Sequence, residues 1–176
     1  SVRAEACDVS NREELSDIIK LCGNELPPLK GVIHAATVIN DSLIRNLDRE
    51  QIRTSLAAKL SGAQYLDELT RPLELDIFVL FSSVTTLLGN PGQAAYVAAN
   101  HWLEALSATR LSLSLPATCV RWGAIDDVGF LARNEEIKEA LQNRLGGTAL
   151  NSKEGLAILE QMIINNCPSL GVMELD

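Results

Sequence analysis

The run Asp76-Ile77-Phe78-Val79-Leu80-Phe81 limits the possible folds more than any other stretch of this chain, because it is apolar at every position from Ile77 to Phe81 and ends in Ser82-Ser83. Successive strand residues point to opposite faces, so a strand with no polar alternation must be covered on both sides. Strands of that kind belong to parallel sheets, whose neighbours are joined by crossovers long enough to hold a helix. The surrounding sequence supplies such crossovers. A helical pattern over residues 48–70 places Ile52, Leu56, Leu60, Ala63 and Leu66 on one face, and a second helix is expected over 92–113. A strand follows at 117–122.

The flanks extend the alternation. Residues 1–7 read as a strand, and Ser10 or Asn11 can cap a helix whose first turn carries Glu13 and Glu14. Pro27-Pro28 closes that unit, and Gly31-Val32-Ile33-His34-Ala35-Ala36 reads as a short buried strand. Beyond residue 122 come a loop over 123–132, helices over 134–144 and 152–165, and a last strand at 171–175. The expected class is α/β: a parallel sheet with helices on both faces and right-handed crossovers. In such sheets ligands bind beyond the carboxyl ends of the strands.

Composition narrows the function. The chain has 176 residues, 47% of them hydrophobic, which suits one domain with a full core. A net charge of −8 argues against nucleic acid as a partner. Its apolar runs are too short to cross a bilayer and its first residues do not form a secretory signal, so a cytoplasmic location is expected. The four cysteines form no C-x-x-C pair and His34 and His101 stand alone, so no metal is expected.

The polar residues that follow the strands are Asp8, Asp41, Ser82 and Ser83, with the small residues Ala35, Ala36 and Gly123 at the other strand ends. Tyr96 and Asn100 lie four apart, on one face of the helix after the third strand. Lys59 lies within the preceding helix. A free phenol has a pKa of about 10, and an ammonium about 4 Å away would lower it by about three pKa units, enough for proton transfer at neutral pH. Ser83 could then hydrogen-bond a substrate oxygen. On spacing alone, packing and capping roles for Tyr96 and Asn100, a solvated Lys59 and a simple turn at Ser82-Ser83 stay open.

The segments "ACDVSNREEL", "LPPLKGVIHAATVINDSLI", "KLSGAQYLDELT", "LDIFVLFSSVTTLLGNPGQAAYVAANHWLEAL" and "CVRWGAI" together resemble the ketoreductase domain of modular polyketide and fatty-acid synthases, within the short-chain dehydrogenase/reductase superfamily. The resemblance implies a Rossmann-like fold and NADPH as cofactor. By that similarity Tyr96 is the proton donor, Ser83 orients the carbonyl, Lys59 tunes Tyr96 and contacts the nicotinamide ribose, and Asn100 holds the network in register. Asp8 and Val9 match positions bracketing the adenine, and Ala35, Ala36 and Gly123 match positions lining the cofactor. Asp41, Leu88 and Pro91 fall where the family faces substrate. Asp41 matches the last residue of a Leu-Asp-Asp signature and Leu88 stands where the other subclass has tryptophan, which implies the B-type and a D-configured alcohol. The substrate implied is a β-ketoacyl group on the phosphopantetheine arm of an acyl carrier protein, among neighbouring synthase domains.

Two departures shape further expectations. Thr37 replaces a glycine of the family, and a β-branched residue resists positive φ and crowds a close backbone approach, so weaker cofactor binding is expected. No Gly-x-Gly-x-x-Gly occurs in the chain. Residues 1–7 then correspond to the third strand of the full fold, and residues 1–176 to the C-terminal part of a reductase domain lacking the first two strands. The strand at Gly31 is expected to expose an edge open to association with another chain. These residues alone are expected to bind little NADPH and to be inactive. The alternative expectation is a non-catalytic, reductase-like subdomain of a synthase.

Overall fold

Asn11 opens the first helix, its side chain accepting from the backbone N–H groups of Glu13 and Glu14. With two otherwise orphaned donors satisfied and acids in the first turn, α1 (Arg12–Leu21) has a defined start. A capping box does the same for α2 (Arg49–Leu56), where Asp48 accepts from the Gln51 N–H and the Gln51 side chain accepts in return from the Asp48 N–H. The computed structural model describes residues 2–125, 127–129, 131–134 and 149–174.

Between α2 and α3 (Gly62–Thr70) the helix widens into a π turn, Ala57–Ser61. The extra residue in that turn changes which side chains face inward. Ser55, Ala58, Lys59, Ala63 and Leu66 are buried, while Ile52, expected on the apolar face, is 39% exposed. The expected helix over 48–70 is therefore present with a different buried stripe.

Four strands form one parallel sheet in the order β1 (Gly31–His34), β2 (Ile77–Ser83), β3 (Thr118–Trp122), β4 (Ser169–Val172). The registers pair Val32 with Phe78, Leu80 with Cys119, and Val120 with Leu170. β2 is central and buried on both faces, with Phe78, Val79 and Leu80 at most 1% exposed. On one side Phe78 and Leu80 pack with Leu15, Val32, Ala63, Leu66, Leu103 and Leu106, which joins the sheet to α1, α3 and, after the short α4 (Thr85–Leu88), α5 (Ala94–Ser112). On the other, Val79 and Val120 pack with Trp122, Leu159, Met162 and Val172, which joins it to α6 (Ser152–Ile164). This is the expected three-layer α/β architecture, and β1 forms one edge, with no strand on its outer side among the described residues.

Three expectations shift. Residues 2–7 form no strand, because a strand exists only as half of a ladder and none runs beside them among the described residues; Arg3 instead reaches Glu25 at 2.9 Å. The last strand lies at Ser169–Val172, where pairing with β3 sets it, two residues before the expected start. The helix expected over 134–144 lies outside the described residues apart from Asn134. The helix expected from residue 92 begins at Ala94, because Gly92 has φ +86° and Gly89 has φ +70°, conformations that glycine adopts at little cost and that make the turn into α5. No helix among the described residues is long and apolar enough to cross a membrane, and no cluster of metal-ligating side chains occurs among them.

Candidate functional site

The carboxyl ends of β1, β2 and β3 open into one cavity of about 300 Å³. Each strand delivers its last residues there: β1 runs on into Ala35 and Thr37, β2 ends in Phe81, Ser82 and Ser83, and β3 ends in Trp122 and continues into Gly123. Lys59 enters from the π turn, Tyr96 from the first turn of α5, and Asp41 and Gln93 from the loops between.

The π turn places a lysine where a regular helix was expected to place leucine. Lys59 is only 3% exposed, and its Nζ donates to the Phe81 carbonyl oxygen at 2.6 Å. Burial pulls its pKa down to about 8, against a smaller opposing influence from Cys119, so the ammonium is charged at neutral pH. Nζ lies 5.7 Å from the centre of the Tyr96 ring, a distance at which the π face attracts a cation.

Tyr96 is held above its ordinary pKa, first by burial and further by the Asp41 carboxylate; the Ser83 and Asn100 side chains pull the other way but do not prevail. This corrects the expectation of an acidified phenol. Lys59 faces the ring and the Phe81 carbonyl, and the group presented to the cavity is a neutral, protonated hydroxyl. Such a group holds the proton a donor needs, but burial makes it a weaker acid than a free phenol.

Ser83 Oγ accepts from the Thr85 N–H at 3.2 Å and from Thr85 Oγ1 at 3.0 Å. A hydroxyl has two acceptor lone pairs and one proton, so these bonds leave its own O–H to donate. Asn100 is fully buried and its Nδ2 donates to the Tyr96 carbonyl oxygen at 2.9 Å, while its Oδ1 has no hydrogen-bond partner among the described residues. Asp41 Oδ2 accepts from Gln93 Nε2 at 2.8 Å, and the Ser42 N–H donates to the Gly92 oxygen at 2.8 Å. These two bonds tie the loop after β1 to the turn that starts α5.

The expected residues separate into two groups. Lys59, Ser83, Tyr96, Ala35, Asp41 and Gly123 line the cavity, and Asn100 sits buried behind it. Asp8, Val9, Ala36, Leu88 and Pro91 are not in its wall. The Asp8 carboxylate accepts from the N–H and hydroxyl of its neighbour Ser10, and Val9 packs near Gly62. Leu88 is 56% exposed. Sequence reasoning missed Gln93, Phe81 and Trp122 as wall residues; Phe81 and Trp122 occupy strand ends, the signal that could have found them, and Gln93 lies one turn before Tyr96. Thr37 does not take positive φ, which outside glycine occurs among the described residues only at Ser114 and Asn166. Its side chain lines the cavity without the expected backbone strain.

Comparison with known proteins gives a consistent picture. Residues 1–127 match the family described as "KR domain". The "Phenolphthiocerol synthesis polyketide synthase type I Pks15/1" of Mycobacterium marinum is 36% identical over 177 aligned positions, covering 100% of this chain and 8% of the relative. The "Highly reducing polyketide synthase tstA" of Talaromyces stipitatus is 36% identical across 90% of this chain and 6% of its own. Among solved structures, one described as "Structure of A-type Ketoreductases from Modular Polyketide Synthase" superposes with a TM-score of 0.90 at 38% identity, and "The first ketoreductase of the tylosin PKS" with 0.84 at 38%. They cover 98% and 97% of this chain, which in turn spans 36% of each. This chain thus spans under a tenth of the two synthases and about a third of the solved domains.

Proposed function

Because the chain belongs to the ketoreductase domain family of polyketide synthases, we propose that it carries the catalytic side of an NADPH-dependent reduction of a β-ketoacyl thioester to the β-hydroxy thioester. The observation that carries this reading is the meeting of Tyr96, Ser83 and Lys59 in the wall of one cavity, from three separate elements.

A nicotinamide nucleotide is compatible with this wall, where Ala35 and Gly123 carry little or no side chain at the ends of β1 and β3. Lys59 provides the cation that would meet the nicotinamide ribose, and Asp8 and Val9, outside the cavity, would meet the adenine end. When bound, NADPH supplies a hydride to the β-carbon. The protein's part concerns the oxygen. Ser83 donates its remaining proton as a hydrogen bond to the ketone oxygen and so stabilises the charge that develops there. Tyr96 gives its proton to that oxygen, and the electron pair of the broken O–H bond stays on the phenol oxygen. Lys59, charged below about pH 8, offsets that new negative charge. Asn100 holds the first turn of α5 through the Tyr96 carbonyl.

The relatives are polyketide synthases by name, which supports an acyl carrier protein as the donor of substrate and other synthase domains as neighbours. Asp41 bonded to Gln93 beside Tyr96, with Leu88 at the position where the other subclass has tryptophan, supports a B-type product, the D-configured alcohol. Two of the solved relatives are A-type or A1-type by description, at 38% and 37% identity. Chiral chromatography of the product separates the two subclasses, and an L-configured product would overturn the assignment. A purely structural role keeps the support of a bulkier Thr37 in the cavity wall, but not that of backbone strain, because Thr37 does not take positive φ. Incubating the intact protein with NADPH and a β-ketoacyl N-acetylcysteamine thioester tests the activity itself. The expected result is thioester-dependent loss of NADPH absorbance with formation of the β-hydroxy thioester; no reduction of any β-keto thioester by a folded protein would overturn the proposal.

A further inference from the structure

We propose that Glu104 is a positioning residue for this site, fixing α5 against β2 and β3 so that Tyr96 and Ser83 hold their mutual geometry; this rests on the ketoreductase reading. Tyr96, Asn100 and Glu104 are spaced by four and share one face of α5. Ser82, adjacent to Ser83 on β2, donates to Glu104 Oε1 at 2.9 Å, and Arg121 on β3 donates to Oε2 at 2.8 Å. Ser82 and Arg121 are register partners across the sheet, so one carboxylate clasps both strands. Arg121 reaches on to Ser169 of β4 at 2.8 Å.

The three elements joined by this carboxylate are those that present Tyr96, Ser83 and Gly123 to the cavity. The Glu104 side chain is 16% exposed and that of Arg121 is 23% exposed, so the pair is largely shielded from water. Burial works against the Glu104 charge, but the Arg121 guanidinium and the hydroxyls of Thr86 and Ser82 outweigh it and keep the carboxyl below its ordinary range. Both oxygens are occupied, which fixes the helix in rotation and in height. Proton transfer depends on placement at this scale: a misplacement of about 1 Å can cost about a hundredfold in rate.

The test measures kcat and KM for a β-ketoacyl thioester in the intact protein carrying E104A, E104Q, S82A or Tyr96→Phe. E104A should lower kcat about tenfold or more with KM for the thioester within about twofold of wild type. E104Q should recover to within about threefold of wild type, because an amide can accept from Arg121 and donate to the Ser82 oxygen. S82A, which removes the bond to Glu104 and the longer 3.5 Å contact to the Asn100 oxygen and creates no buried charge, should fold and lose about threefold or more in kcat alone. Wild-type kcat in S82A or in folded E104A, a loss expressed only in KM, or an E104Q no better than E104A would each overturn the proposal. If Tyr96→Phe abolishes reduction while the Glu104 and Ser82 variants are unimpaired, only this inference fails; if Tyr96→Phe is itself unimpaired, the reading beneath it fails.

Discussion

Lys59 shows how one side chain can carry a cost to folding for the sake of a site. Its ammonium is buried and its pKa falls to about 8, below the value of about 10.5 in an unfolded chain. Between those values the unfolded chain holds a proton that the native state has lost, so stability rises with pH, by on the order of 3 kcal/mol across the whole window. Chemical denaturation from about pH 8 to pH 10 should show about 2 kcal/mol of this gain in the wild type and none of it in Lys59→Met. An equal pH response in both would mean that Lys59 is not buried as a charge. The chemistry of the individual residues was partly readable. Ser83 could be singled out by its strand-end position and Tyr96 and Asn100 by their spacing of four, but the roles of these residues and of Lys59 came only from the family resemblance; the direction of the Tyr96 pKa could not be read, because burial and the Asp41 carboxylate outweigh the neighbouring hydrogen bonds only once the chain has folded.

Secondary elements were legible where their signals were local. The apolar run of β2 and a cap at Ser10 or Asn11 declare themselves within a few residues, and the structure follows them, with Asn11 as the cap; the turn at Gly89 and Gly92 instead moves the helix expected from residue 92 to Ala94. The π turn could not be read, since the apolar spacing over 48–70 satisfies an ordinary 3.6 period and only a lysine amid leucines and alanines marks the place. Nor could the unpaired state of residues 2–7, because strand formation depends on a distant neighbour. At the far end of β3 the chain passes so close to β4 that only glycine fits. A Cβ on Gly123 would lie 2.8 Å from Met173 Cβ and 3.1 Å from both Met173 Cα and the Val172 oxygen, and the Gly123 N–H already donates to that oxygen at 2.7 Å. Backbone cannot move aside as a flexible side chain would. Gly123→Ala should cost about 1–3 kcal/mol, read as a lower thermal midpoint, and unchanged stability would contradict the close packing of β4.

For the molecule as a whole, the parallel sheet and its two covered faces follow from the βα alternation. The ion pair that fastens α3 to α5 does not. Arg110 is 1% exposed, donates to Asp67 at 2.6 Å and to the Pro116 oxygen at 3.0 Å, and lies over the Phe78 ring at 3.8 Å. Arg71 shares the same carboxylate. Removing Asp67 would strand a buried guanidinium, so Asp67→Ala should destabilise by about 3–5 kcal/mol in urea unfolding, whereas a loss below about 1 kcal/mol would show the pair to be solvated. On one side of this framework the ends of three parallel strands gather a phenol, a hydroxyl and an ammonium around one cavity, and the proposed reduction depends on the phenol giving up its proton. The most direct test is the rate of NADPH consumption with a β-ketoacyl thioester in the intact protein and in Tyr96→Phe. The predicted result is a loss of about a hundredfold or more in kcat with the fold intact; turnover equal to wild type in the phenylalanine variant would contradict it.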